Sequence, residues 1–198
     1  MKKSLVLMVV LVLGLTFTNS TLQADDPCDM GKFSLSVGAG MRNVSEDLFK
    51  DVYGSGGVSI NVDFGMRITK SLEAFLHTDY FTIDGELTFT GEDTTLTIMP
   101  IELGARYLIP VNKECKTKLF PYIGAGVGYY MVKEENVIDT LESNKVGFFA
   151  EGGIRFYFAG SVFADLKLKN VFLKVENDQG DKVEAGGLAY MLGVGITF

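Results

Sequence analysis

Val58-Ser59-Ile60-Asn61-Val62-Asp63-Phe64-Gly65-Met66-Arg67 alternates without a break between apolar residues and polar residues or glycine. A period of two belongs to a β-strand, in which successive side chains point to opposite faces. Val58, Ile60, Val62, Phe64 and Met66 share one face; Ser59, Asn61, Asp63, Gly65 and Arg67 share the other. The first face is uniformly apolar, and the second mixes glycine with charge. The same division recurs along the chain. Phe33, Leu35, Val37, Ala39 and Met41 stand against Ser34, Ser36, Gly38, Gly40 and Arg42. Met99, Ile101, Leu103, Ala105 and Tyr107 stand against Glu102, Gly104 and Arg106. Val146, Phe148, Ala150, Ile154, Phe156 and Phe158 stand against Glu151, Gly153, Arg155 and Tyr157.

This alternation, with turn-rich or charged stretches between, predicts eight strands near 32–42, 56–67, 72–83, 96–109, 119–131, 145–158, 162–174 and 185–198. The connections at 68–71 and 159–161 are short and that at 110–118 is moderate, while 43–55, 84–95, 132–144 and 175–184 are long. Short turns at one end and long loops at the other are the pattern of a membrane barrel. The expected fold is all-β: an eight-stranded antiparallel transmembrane up-and-down β-barrel over 32–198, present as a monomer. A soluble barrel would put the apolar faces inside and leave the charged faces in water. The loop asymmetry and both ends of the chain favour the reverse, with apolar residues toward lipid and charge toward the lumen. An even strand count then places both termini with the short, periplasmic turns.

Lys2 and Lys3 precede an apolar run from Leu5 to Leu15, and Leu22-Gln23-Ala24 leads to Asp25. This is the layout of a cleaved secretory signal over 1–24, cut after Ala24 or, because Leu22 is bulky, nearer Ser20. The run is short for a retained anchor. Asp26 and Pro27 before Cys28 do not fit a lipoprotein. Residues 25–31 then form a periplasmic tail. Removal of the signal leaves 16 basic residues against 25 acidic ones. That balance excludes nucleic acid as a partner. Composition is 47% hydrophobic with no tryptophan, and no later apolar run approaches a membrane helix.

Asp63-x-Gly65-x-Arg67, Glu102-x-Gly104-x-Arg106 and Glu151-x-Gly153-x-Arg155 are three copies of one pattern, with Gly193 and Gly195 at the equivalent place in the last strand. Acid, glycine and arginine in each copy point the same way, so they are expected to fill a narrow lumen with charge. Glu73, His77, Asp79, Asp165 and Lys167 are expected to join that network, because buried charges require partners.

The final residues, Tyr190-Met191-Leu192-Gly193-Val194-Gly195-Ile196-Thr197-Phe198, alternate and end on phenylalanine. They resemble the C-terminal signal that the outer-membrane barrel-insertion machinery reads, carried by Tyr190, Leu192, Val194, Ile196 and Phe198. Pro121-Tyr122-Ile123-Gly124-Ala125-Gly126-Val127-Gly128-Tyr129 resembles the fifth strand of the outer-membrane-protein β-barrel superfamily, the small eight-stranded W-type, X-type and opacity-type proteins. The resemblance spans the mature chain and implies residence in the outer membrane among lipid and lipopolysaccharide. It is silent on the task, since the family holds adhesins, serum-resistance factors and narrow conduits.

Cys28 and Cys115 are the sole cysteines. Both fall on the periplasmic side, where oxidation favours a disulfide, although the breadth of the barrel mouth favours two separate thiols. Two cysteines and one histidine make no zinc site, and no cofactor is implied. His77 shares a face with Asp79, but Thr78 points away and no serine is placed opposite. A nucleophile, base and orienting acid are therefore not assembled, and no catalytic residue is assigned. The long loops carry fifteen acids, among them Glu46, Asp84, Glu86, Asp93, Glu134, Glu135 and Glu142. These read as a solvated surface, or as a face for cations or a basic host or surface ligand. Two roles follow: a structural or surface-interaction barrel with a plugged lumen, or a conduit for small hydrophobic solutes with a pocket near Phe75, Phe81 and Phe149.

Overall fold

The structure is a computed structural model that describes residues 31–44, 52–54, 56–86, 93–109, 111, 118–136, 140–176, 182–184 and 186–198. The strands in chain order are β1 (Phe33–Val44), β2 (Gly57–Arg67), β3 (Leu72–Glu86), β4 (Asp93–Leu108), β5 (Leu119–Asn136), β6 (Thr140–Ala159) and β7 (Val162–Phe172), then β8 (Lys174–Glu176), β9 (Lys182–Glu184) and β10 (Gly187–Thr197). Seven of them, with β10 as the eighth, close into one antiparallel barrel; β8 and β9 form a small hairpin on the loop before β10. Each barrel strand pairs with its neighbour in sequence, and β10 returns to β1 from Ser34↔Thr197 to Val44↔Gly187. Beyond the last pair, the Phe198 carbonyl accepts from the amides of Lys32 and Phe33, both at 2.9 Å. The signal segment, nearly all of the tail, Cys28, Cys115 and loop acids such as Glu46 lie outside the described residues.

The alternating faces separate as their chemistry requires. Ile60, Leu103, Ile123, Val146 and Leu192 each expose more than half their surface outward, an arrangement that only a lipid environment satisfies. Outward aromatics border this belt. Phe64, Tyr107, Phe156 and Phe158 lie toward the short turns, and Tyr80, Tyr129, Phe172 and Tyr190 toward the long loops.

The strands are unequal. β3 to β6 run for 15, 16, 18 and 20 residues, whereas β1, β2, β7 and β10 have 11 or 12. About 9–11 tilted residues suffice to cross the hydrocarbon, so β3–β6 form a wall that stands beyond it. There the faces exchange character. Thr82, Asp84, Thr95 and Glu135 point outward, while Phe81, Ile83, Leu96, Ile98 and Tyr130 are buried inward. The sequence reading begins β4 at 96 and β6 at 145 and ends β3 at 83 and β5 at 131. β3, β4 and β5 extend further because alternation continues with its polarity reversed, and β6 extends alongside β5 through pairs such as Lys133↔Glu142. The β3–β4 ladder is broken between Thr78↔Ile101 and Phe81↔Ile98, beside Pro100. Proline has no N–H to give the ladder, and the Thr78 hydroxyl donates to the Pro100 carbonyl at 2.8 Å.

Candidate functional site: the charged lumen

The interior is layered. At the short-turn end Leu108, Phe120, Tyr122, Tyr157 and Phe163 pack together. The Tyr157 ring lies 5.7 Å from Phe120 and 5.3 Å from Phe163. A second cluster of Phe75, Phe81, Ile83, Leu96, Ile98, Tyr130, Phe149, Val171 and Leu173 runs from mid-lumen, where Phe75 stands between Glu73 and His77 on β3, to the long-loop end, where Tyr53 caps it. Charged side chains lie between and among them.

Asp63 on β2 is the hub. It receives Arg106 from β4, Lys167 from β7 and His77 Nδ1 from β3, the last at 2.7 Å. Glu73 accepts from both Arg155 Nη atoms at 3.2 and 3.4 Å, and from Ser34 at 3.4 Å. Asp165 accepts from Tyr122 at 2.7 Å and from Arg155 Nε at 3.3 Å. Glu151 lies 3.2 Å from Arg106 Nε. Nearer the outside, Lys169 donates to Asp79 at 2.9 Å and to Glu102 at 2.8 Å, and Tyr130 donates to the other Glu102 oxygen. His77 Nε2 faces Asp79 at 3.3 Å, so each ring nitrogen points at a carboxylate. These side chains are nearly all buried. In such a setting an isolated charge is costly, and convergence of several partners is what permits it. Aromatic faces add to this: the Arg106 guanidinium lies 3.8 Å from the Phe75 ring centre and that of Arg155 4.3 Å from Phe163.

The repeats do not pair internally. Acid and arginine within a copy are four residues apart, about 13 Å along a strand, so partners come from across the lumen. Arg67 sits half-buried at the short-turn mouth, with no hydrogen-bond partner on its Nε. The structure brings together the other ten expected lumen residues, adds Ser34, Lys169, Tyr122 and Tyr130 to the network, and places Arg42 in the lumen outside its hydrogen bonds. Lys169 continues the parity of Asp165 and Lys167, but the alternation of that strand fades there. Tyr122 and Tyr130 read as aromatics and serve as hydrogen-bond donors. Arg42, on the polar face of β1, is buried with all three guanidinium nitrogens unpartnered, 5.7 Å from the Phe81 ring centre. A void of about 10 Å3, lined by Ser36, Asn61, Asp165, Lys167, Met191 and Gly193, is room for one water.

A family profile described as outer membrane protein beta-barrel domain matches residues 8–198. No curated protein sequence matches. Among solved structures, the Pseudomonas aeruginosa outer membrane protein OprG superposes with a TM-score of 0.68 at 13% identity, over 85% of this chain and 96% of its own. Neisserial surface protein A gives 0.63 at 17% identity, over 84% and 97%. The attachment invasion locus protein Ail of Yersinia pestis, crystallised with the heparin analogue sucrose octasulfate, gives 0.57 at 16%, over 85% and 99%. With its closed eight-stranded wall and lipid-facing belt, the chain belongs to the outer membrane protein β-barrel family and resides in the outer membrane.

Proposed function

We propose that this is a non-catalytic surface barrel whose lumen is plugged by charge and whose loops meet the outside world. The observation that carries this reading is the filling of the described lumen by buried aromatic, charge-paired and apolar side chains. An ion entering would have to displace charges that already satisfy one another. The exposed outer positions Asp84, Glu86, Asp93, Glu135 and Glu142 favour cations or a basic host or surface ligand. The polyanion seen with Ail does not suit such a rim. Lipopolysaccharide is then met through bridging cations, and the insertion machinery through the strand ending at Phe198. Planar-bilayer recording tests the plug: purified protein is expected to give no single-channel steps, and clear steps would overturn it.

A conduit for small hydrophobic solutes is the second reading. It is favoured by the outer apolar cluster around Phe75, Phe81 and Phe149 together with the interrupted β3–β4 seam at Pro100, a lateral exit into the membrane. Uptake of a small apolar dye by protein-bearing vesicles, faster than by empty ones, would select it.

A further inference from the structure

The described residues at the two ends of the barrel differ in charge. Among the described residues, the outer ends of β3–β6 expose five acids, whereas the periplasmic rim has no Asp or Glu side chain facing water. That rim instead exposes Lys32 before β1, Lys70 in the β2–β3 turn and Lys118 before β5, with half-buried Arg67 beside them. Exposed apolar residues are interleaved in the same turns: Ile68 is 56% accessible, Ile109 40% and Val111 54%. Lys32 Nζ stands 5.8 Å over the ring of Phe33, at the edge of the lipid-facing belt.

We propose that this rim docks anionic phospholipid headgroups of the leaflet facing the periplasm. The lysines lie where the apolar belt ends, which is the level of the phosphates. Ammonium groups beside anionic lipid gain electrostatic attraction that vanishes beyond a Debye length. The neighbouring isoleucines and valine suit insertion among acyl chains, and they would be out of place against a hydrated polymer. The asymmetry also sets orientation, because the acidic outer rim repels the headgroups that the basic rim holds.

Native mass spectrometry tests this on folded protein in mixed micelles holding equal phosphatidylglycerol and phosphatidylethanolamine. The parent is expected to retain phosphatidylglycerol about tenfold over phosphatidylethanolamine, a preference that three ammonium groups at the membrane surface readily support. The combined variant Lys32→Gln, Lys70→Gln, Lys118→Gln should bring retention close to parity, while Lys133→Gln at the outer rim should leave it unchanged. Heat-dependent gel mobility verifies folding, and the single variants Lys70→Gln and Lys118→Gln, each with a partial loss, carry the test should the triple not fold. Parity in the parent, a preference that survives the triple, or one lost equally in Lys133→Gln would overturn the proposal. So would binding to peptidoglycan sacculi that the triple abolishes in a parent without lipid preference.

Discussion

Asp63 and Arg42 are both buried lumen charges in opposite circumstances. Asp63 holds two cationic side chains and the His77 ring at once, and Arg106 ties Asp63 to Glu73 and Glu151. Removing one member of such a set leaves its partners uncompensated, a loss of roughly 3–5 kcal/mol for buried pairs. Arg106→Met is therefore expected to lower stability by about that amount in reversible urea unfolding followed by tyrosine fluorescence. Arg42 has no hydrogen-bond partner to orphan and stands over the Phe81 ring. Exchange of its guanidinium for an apolar side chain of similar reach should leave stability within about 1 kcal/mol of the parent or raise it. A loss at Arg42 matching that at Arg106 would mean that Arg42 is paired after all. The contrast also marks how far the sequence reaches. Parity along each strand identifies which side chains enter the lumen. The identity of the partners depends on which strands face each other across the bore. Asp63 and Lys167 are 104 residues apart, and no local pattern encodes that distance.

The β3–β6 wall is where element boundaries escape the sequence reading. A stretch such as Leu96-Thr97-Ile98-Met99 looks like an apolar run with one polar break. In the barrel it is the crossing point between two environments: Leu96 and Ile98 face an apolar interior with water outside, and Met99 faces lipid. Alternation persists while its meaning reverses, so by pattern alone the strand ends where the membrane ends. Inside the wall, large aromatics are possible because β5 offers glycine opposite them. A Cβ at Gly126 would meet the Leu103 carbonyl oxygen and lie 2.6 Å from Phe149 Cζ. Gly126→Ala is expected to cost about 1–3 kcal/mol. Phe149→Leu in the same chain should recover the side-chain share but not the backbone share, read from a double-mutant cycle. Above this, the Tyr53 hydroxyl donates to Glu134 at 2.7 Å and lies 3.3 Å from Thr94, docking the first long loop onto the wall. Burial first, and then Glu134, holds this hydroxyl above the ordinary tyrosine range despite the opposing Thr94 bond. The folded state thus keeps a proton that the unfolded state releases near pH 10. The stabilisation is complete below that pH and is lost as pH rises beyond it. Tyr53→Phe should cost about 1 kcal/mol at neutral pH. The difference between parent and variant should shrink above about pH 10, and a constant difference would remove Tyr53 as the docking group.

Closure of the molecule rests on β1 and β10, the two barrel strands farthest apart in the chain. Their ladder runs over eleven pairs, and it cannot form until every intervening strand is in place. Such non-local pairing is slow, and it leaves two unsatisfied edges exposed while it waits. The terminal strand is suited to being held during that interval. Tyr190, Leu192, Val194 and Ile196 all face lipid, and Phe198 ends the row. Phe198 has two separable duties. Its backbone closes the seam through Lys32 and Phe33, and its ring lies 5.9 Å from that of Phe33. Phe198→Ala keeps the backbone bonds and removes only the ring. Purified Phe198→Ala is accordingly expected to refold into detergent with nearly the parent yield, judged by heat-dependent gel mobility. In cells, recognition of the terminal aromatic by the insertion machinery, as proposed above, predicts that most of the folded protein in the outer membrane is lost. Equal losses in both settings would reduce Phe198 to a packing residue. A defect confined to cells would assign its ring to the machinery that delivers the last strand to the first.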